Sequence, residues 1–249
     1  MSYKKIVIIG ATSLIAEHCA RLWAAQNPDE LILVGRDLLK MDLVANDLRV
    51  RSPSTLIKCQ EVDFESAEKI QLLAESLSKG ESIDLVLIAH GFLPDQSVCQ
   101  RDLNIVHEAL EVNGISPVLF AEAFAGCMAT INHGVLAIIS SVAGDRGRKS
   151  NYVYGAAKGL VSLYAQGLQH RFSNTKVTVV LIKPGPTDTP MTAMLRKKNA
   201  KLAPVELVAK SIVSGIKKGS ATVYAPAHWA FIMMIIRHLP SVIFNKLNI

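Results

Sequence analysis

The sequence predicts an α/β protein: one doubly wound parallel sheet with helices on both faces, a single domain over residues 1–249. Three observations carry that prediction. Short Val/Ile-rich runs alternate strictly with longer stretches of helical period, which requires crossover connections. Most of those runs are apolar on both faces, as parallel strands covered from both sides must be. No linker, repeat or low-complexity segment divides the chain.

In chain order, the candidate strands are 4–10 (KKIVIIG), 31–35 (LILVG), 55–61, 83–90 (IDLVLIAH), 134–140 (GVLAIIS), 176–183 (KVTVVLIK) and 221–225. Helical periodicity fills 13–26, 37–51, 65–79, 98–129, 153–173 and 204–218, and Asn27-Pro28 stops the first helix. Half of the residues are hydrophobic and 19% are charged, enough for a sizeable core and too apolar for a disordered chain. The net charge, 27 − 21 = +6, is spread along the chain. It favours an anionic ligand, either a phosphorylated cofactor or substrate or an acidic membrane surface. No motif points to nucleic acid. Cys19, Cys59, Cys99 and Cys127 form no C-x-x-C pair and no zinc spacing, so no metal is expected and the thiols read as small buried hydrophobes in a reducing compartment. The N-terminus enters a strand at once, with an apolar run too short for a signal peptide, and a cytoplasmic protein is expected.

The first strand ends in Gly10-Ala11-Thr12-Ser13-Leu14-Ile15-Ala16 and a helix follows. Free N–H groups at a helix N-terminus bind phosphate, so Gly10, Thr12, Ser13, Leu14 and Ile15 are the candidate contacts of a dinucleotide. Leu14 and Ala16 stand where a glycine-rich fingerprint has its later glycines. Ala16 serves close packing of helix on strand, whereas Leu14 crowds the pyrophosphate. An ordinary βα turn is the alternative. The second strand ends in Gly35-Arg36-Asp37, with Gly35 where an NAD site usually has a carboxylate. A guanidinium pairs a 2′-phosphate that a carboxylate would repel, so NADP(H) is favoured over NAD(H). Asp37 reads as a helix cap. Asp63, at the tip of the third strand, either accepts from the adenine amino group or caps the next helix. Ala89-His90-Gly91 passes beside the cofactor ribose, and His90 reads as packed or ribose-contacting rather than as a general base.

Tyr154-Gly155-Ala156-Ala157-Lys158 opens the 153–173 stretch. The i,i+4 spacing puts phenol and ammonium on one helix face. A free phenol has a pKa near ~10, and a neighbouring ammonium is expected to lower it toward acid/base use. Lys158 also reaches the hydroxyls of a nicotinamide ribose. Ser141, thirteen residues earlier at a strand tip, faces the same crevice and can hold a substrate oxygen in line with Tyr154.

This ordered set of turn, strand-tip Ser and helix-start Tyr/Lys resembles the short-chain dehydrogenase/reductase family over essentially the whole chain. The resemblance implies a Rossmann-type sheet of about seven strands and a hydride-plus-proton oxidoreductase acting at an alcohol/ketone carbon. It implies that Asn113, otherwise a helix defect beside Gly114, kinks a helix and holds a water linked to Lys158. It also implies that Pro184, Gly185, Thr187 and Thr189 meet the nicotinamide carboxamide, that 186–203 is a substrate lid, and that the chain is a homodimer or homotetramer through the 98–129 and 153–173 helices. In that lid Arg196, Lys197, Lys198 and Lys201 either attract a phosphate-bearing substrate or form a solvated basic loop. The apolar tail, about 227–249, runs through Trp229–Ile236, far short of the ~20 residues that span a bilayer. It is either buried, at a subunit interface for instance, or docked on a membrane surface. The tail, the Gly10–Ser13 turn and Ser141–Arg146 are similar to a subgroup of the family that reduces a keto-sugar carried on a polyprenyl phosphate in cell-envelope polysaccharide synthesis, with a flavin oxidase as partner enzyme.

Overall fold

The structure, a computed structural model, describes residues 3–197 and 200–247. The chain runs through β1 (Lys5–Ile9), α1 (Leu14–Ala24), β2 (Glu30–Gly35), α2 (Leu38–Arg51), β3 (Leu56–Glu61), α3 (Ala67–Ser78) and β4 (Leu85–Ile88). Next come α4 (Gln96–Cys99), α5 (Leu103–Leu110), a π turn (Glu111–Ile115), α6 (Ser116–Ile131), β5 (Gly134–Ile139) and α7 (Tyr152–Arg171). The remainder is β6 (Val177–Pro184), α8 (Ala193–Lys197), α9 (Val205–Lys217), β7 (Thr222–Ala225), α10 (His228–His238) and α11 (Ser241–Phe244).

The seven strands lie in the order β3-β2-β1-β4-β5-β6-β7, all parallel. The order reverses direction between β1 and β4, and the crevice for a ligand opens there, beyond the carboxyl ends of the strands. Alternate residues of each strand feed two cores. Ile6, Ile8, Leu31, Leu33 and Leu87 pack under α1, α2 and α9 with Trp23, Met41 and Ile212. Val7, Ile9, Val34, Val86 and Ile88 pack under α3, α6 and α7 with Ile70, Phe120, Phe124 and Val161. Ala16 is fully buried in the first core, the role its position predicts.

Three expectations need correction. The 98–129 stretch is not one helix. Asp95 and Asp102 cap α4 and α5 separately, accepting from Ser97 N and Asn104 N, and the π turn then offsets α6 from α5. Leu103–Ile131 is apolar and long enough to cross a membrane by composition, yet its two halves pack against α7 and α3, as core helices do. The 186–203 segment is more ordered than a patternless loop. It carries a 3-10 turn at Pro190–Thr192, α8, and a parallel bridge between Thr187 and Ala203. The tail is not buried all round. Met233 alone is buried in α10 and no residue is buried in α11.

Candidate active site

At the phosphate turn, Gly10 adopts φ +78, and a Cβ there would lie 2.7 Å from the backbone nitrogen of His90, so only glycine fits. Gly10 N and Ala11 N both donate to Val34 O, at 2.8 and 3.1 Å, which folds the turn over the tip of β2. Ser13 is the N-cap of α1 but makes no side-chain cap bond, so the first-turn N–H groups keep their donor capacity for an anion. Thr12, Ser13 and Ile15 line the cleft, whereas Leu14 does not. Its side chain therefore neither contacts nor crowds the crevice.

Arg36 is exposed at the tip of β2, 5.8 Å from the ring centroid of Phe64, and forms no ion pair among the described residues. Asp37 is committed to α2, where it accepts from Lys40 N at 3.1 Å and pairs with Lys40 Nζ at 3.2 Å. Asp63 lies in a neighbouring depression that it shares with Arg36. It accepts from Glu65 N at 3.1 Å and pairs with Lys69, and these bonds hold its carboxyl below the usual range. The cap of α3 is instead Ser66, which accepts from Lys69 N.

His90 packs edge-on to Phe64 and Phe120, with centroids 4.7 and 5.6 Å away, and its Nε2 lies 3.0 Å from Ser116 Oγ. Burial first, then the charges of Lys158 and Arg36, hold its pKa well below 6.5. A neutral, packed imidazole is the result, and a weak proton acceptor. Gly91, at φ +153, leaves room that a Cβ would take from Asn113 Oδ1 (2.7 Å) and Lys158 Nζ (3.4 Å). Asn113, fully buried in the π turn, satisfies the chain on both sides. Its Oδ1 accepts from Phe92 N at 2.8 Å, and its Nδ2 donates to Ala109 O at 2.9 Å, the carbonyl four residues back. The helical ladder is interrupted here by a π turn, and the Asn113 side-chain amide supplies a bond to the Ala109 carbonyl.

Tyr154, Lys158 and Ser141 converge in one cleft with Ala89, His90, Gly91, Pro184, Gly185, Thr187 and Thr189. Ser13, His90 and Gly91 also line the adjoining depression of Gly10, Thr12 and Arg36, so the two form a continuous groove. Lys158 Nζ stands 6.0 Å from the Tyr154 ring centroid and donates to Ile139 O at 3.3 Å. Burial brings Lys158 down to about 8 and pushes Tyr154 up to about 12, against a hydrogen bond from Ser141 that lowers it. The expected lowering of the phenol is thus reversed, because desolvation outweighs the favourable partners. A protonated phenol beside the cleft is a proton donor.

Several residues that build this site carry no sequence signature. Ser140 donates to Lys158 O at 2.8 Å and meets Ser162 Oγ at 2.8 Å, which locks α7 to the strand that presents Ser141. A Cβ on Gly144 would lie 2.6 Å from the Lys158 backbone, and one on Gly155 would lie 2.9 Å from Ala143 O. Gln96 Oε1 accepts from Val153 N at 3.0 Å and caps α7 from 57 residues away. Thr192 Oγ1 bridges the carbonyls of Thr187 (2.5 Å) and Thr189 (3.1 Å), holding the 184–192 segment in shape. Arg196 pairs with Asp188, Lys197 and Lys201 are exposed, and Lys198 lies outside the described residues. Among those residues no His/Cys/Asp/Glu group is arranged to hold a metal ion.

A doubly wound sheet with a neutral phenol, a buried lysine and a strand-tip serine in one groove defines an oxidoreductase acting at an alcohol or ketone carbon. The chain belongs to the short chain dehydrogenase family, whose model matches residues 4–200. It is 27% identical over 246 residues to an uncharacterized oxidoreductase of Streptomyces coelicolor, covering 98% of this chain and 96% of that one. It resembles in fold a short-chain dehydrogenase from Sphingobium yanoikuyae solved in complex with NADPH, with TM-score 0.83, 20% identity, and 98% and 96% of the two chains covered. A bulky-bulky ketone specific alcohol dehydrogenase from Comamonas testosteroni gives TM-score 0.80 at 20% identity, covering 100% of this chain and 96% of that one.

Proposed function

We propose that the chain is an NADPH-dependent ketone reductase whose substrate is a phosphorylated keto-sugar, free or linked through phosphate to a polyprenyl lipid. The keto-reductase component of the decaprenylphosphoryl-ribose 2-epimerase has a reaction of this kind. The convergence of Ser141, Tyr154 and Lys158 on one groove carries the reading. The groove suits a dinucleotide: Gly10 and Gly91 clear space that a Cβ would close, and the N-terminus of α1 offers N–H donors to its phosphates. Arg36, exposed and in no ion pair among the described residues, supports the 2′-phosphate of NADPH over NADH, and the NADPH bound by the Sphingobium enzyme accords with that. When bound, the reduced cofactor supplies the hydride, one proton with two electrons, that ends on the carbonyl carbon. Ser141 and Tyr154 hold the ketone oxygen, and Tyr154 gives it a proton, so that an alcohol results. Lys158 keeps a positive charge beside the phenolate so formed, and Asn113 holds the chain around Gly91 against it.

The lipid-linked form is supported by the tail. Arg146 donates to Ile236 O and Leu239 O, each at 2.6 Å, and its guanidinium lies 3.8 Å from the Phe244 ring centroid. These bonds seat α10 and α11 beside the loop that carries Ser141. Phe231, Met234, Ile235, Val242 and Ile243 face outward. Residues 189–249 hold nine Lys or Arg against one acid, Glu206. An apolar face in a basic segment suits the cytoplasmic surface of an anionic bilayer. Leu160 and Leu163 on the outer side of α7 suit contact with a second copy.

The test is turnover of NADPH with a phosphorylated 2-keto-pentose against acetoacetyl thioester. Faster reduction of the sugar supports the reading, and preference for the thioester refutes the substrate assignment. Arg36→Asp is expected to cut the NADPH-over-NADH preference at least ~10-fold. An unchanged ratio refutes the cofactor assignment.

A further inference from the structure

Between Ser141 and Tyr154 the chain makes a short excursion, and two of its polar side chains lack partners. Arg148 and Asn151 both line the groove with Ser141 and Tyr154. Arg148 is half-buried. Its Nη2 meets only the thioether of Met233 on α10, at 3.4 Å, and its Nε has no partner. No carboxylate pairs with it among the described residues. The nearest candidate, Asp145, is itself buried and taken by Lys183 and by the Tyr224 hydroxyl, at 2.9 Å for the latter. Burial accordingly draws the Arg148 pKa down, with only a distant opposing pull from Asp145.

Asn151 is the N-cap of α7, a position where Asn usually accepts from an N–H of the first turn. Here Gln96 has taken the Val153 N–H, Asn151 makes no cap bond, and its Oδ1 is left buried without a donor. Buried polar atoms without partners are rare, because each costs about 1–3 kcal/mol. Two such residues in one wall of the groove, one cationic and one an acceptor, suit a ligand that brings an anionic oxygen and a hydroxyl. The part of the groove around Ser141 and Tyr154 is lined by Arg148 and Lys158 and, among the described residues, by no Asp or Glu, which suits a negatively charged ligand there.

We infer that Arg148 and Asn151 form the substrate's polar subsite, with Arg148 taking an anionic oxygen of a phosphate ester and Asn151 accepting from a hydroxyl of the same sugar. This deepens the function proposed above and rests on it for the identity of the reacting carbon. Met233, which touches Arg148, ties this subsite to the tail.

The experiment measures binding to the NADPH-loaded protein, which needs no turnover. The ligands are a pentose, its 5-phosphate and a farnesyl-phosphoryl pentose, all in the alcohol form that NADPH cannot reduce. The wild-type protein is expected to bind both phosphates at least ~10-fold more tightly than the free sugar. Arg148→Gln should weaken both phosphates by about 10- to 100-fold, the range for a charge-assisted pair. Pentose and NADPH should stay within about twofold, and Arg148→Lys should fall between. Tighter binding of the farnesyl ligand assigns the phosphate to a lipid carrier, and equal binding assigns it to a soluble ester. The inference is overturned if the wild type shows no preference for phosphate, if Arg148→Gln leaves that preference intact, or if it weakens NADPH equally. Should Arg148→Gln fail to fold, the wild-type preference and Arg148→Lys decide. Phosphate binding without reduction of any ketone would refute the reductase reading alone and leave the subsite standing.

Discussion

The helices α7 and α10 are both apolar for most of their length, yet the protein treats them in opposite ways. α7 is keyed to the sheet at atomic tolerance: Ser140 bonds its backbone, and Gly144 and Gly155 allow contacts that no side chain would permit. α10 is seated through Trp229 against Gly185, through Met233 and through Arg146, and turns Phe231, Met234 and Ile235 to solvent. Close packing fixes side chains within fractions of an ångström, as proton transfer requires. The outward apolar face of α10 is the one proposed above to meet a lipid surface.

That contrast can be broken first at its centre. Tyr154→Phe is expected to lower kcat by about 10²- to 10⁴-fold while NADPH affinity stays within about twofold, by steady-state rates and cofactor titration. Near wild-type turnover would remove Tyr154 from the chemistry. Gly144→Val tests the tight contact. The new side chain is driven into the Lys158 backbone and should cost about 1–3 kcal/mol in a denaturant melt, with loss of activity.

Lys158→Met probes the buried charge through pH. The folded pKa of about 8 lies below the usual value for lysine, so between about 8 and 10.5 the unfolded chain holds a proton that the folded one has released. Stability from this group therefore rises with pH across that window, and below it the cost of burying the charge is constant. The variant should be more stable than wild type at pH 7, by at most about 3 kcal/mol, with the difference shrinking toward pH 10. A pH-independent difference would contradict the shift. The smallest effect on the fold is expected from Phe231→Ser on α10, a Tm change of about a degree or less. The same variant should lose affinity for vesicles rich in anionic lipid, measured by sedimentation. Retained vesicle binding would remove that face from membrane contact.

The strands and their parallel arrangement were legible because a strand covered on both faces must be apolar throughout, as Val7–Ile9 and Leu85–Ile88 are. Ser141, Tyr154 and Lys158 were legible because their spacing in the chain is also their geometry. What sequence could not give arises from long-range packing. Gln96 caps a helix 57 residues away, and the phenol's upward shift depends on what encloses it. Leu14 stands where a glycine is expected, yet the residues that line the groove do not include it. The positive charge is not evenly spread, since nine of 27 basic residues follow Thr189 with one acid among them.

Trp229 packs against Gly185, where a Cβ would meet its indole nitrogen at 2.0 Å, while the second tryptophan, Trp23, is sealed in the core beneath α1. The protein therefore carries its own optical reporter. Emission from Trp23 should be indifferent to ligands, and emission from Trp229 should change when the groove beside Gly185 fills. Trp229→Phe would silence that signal and turn intrinsic fluorescence into a clean assay of occupancy.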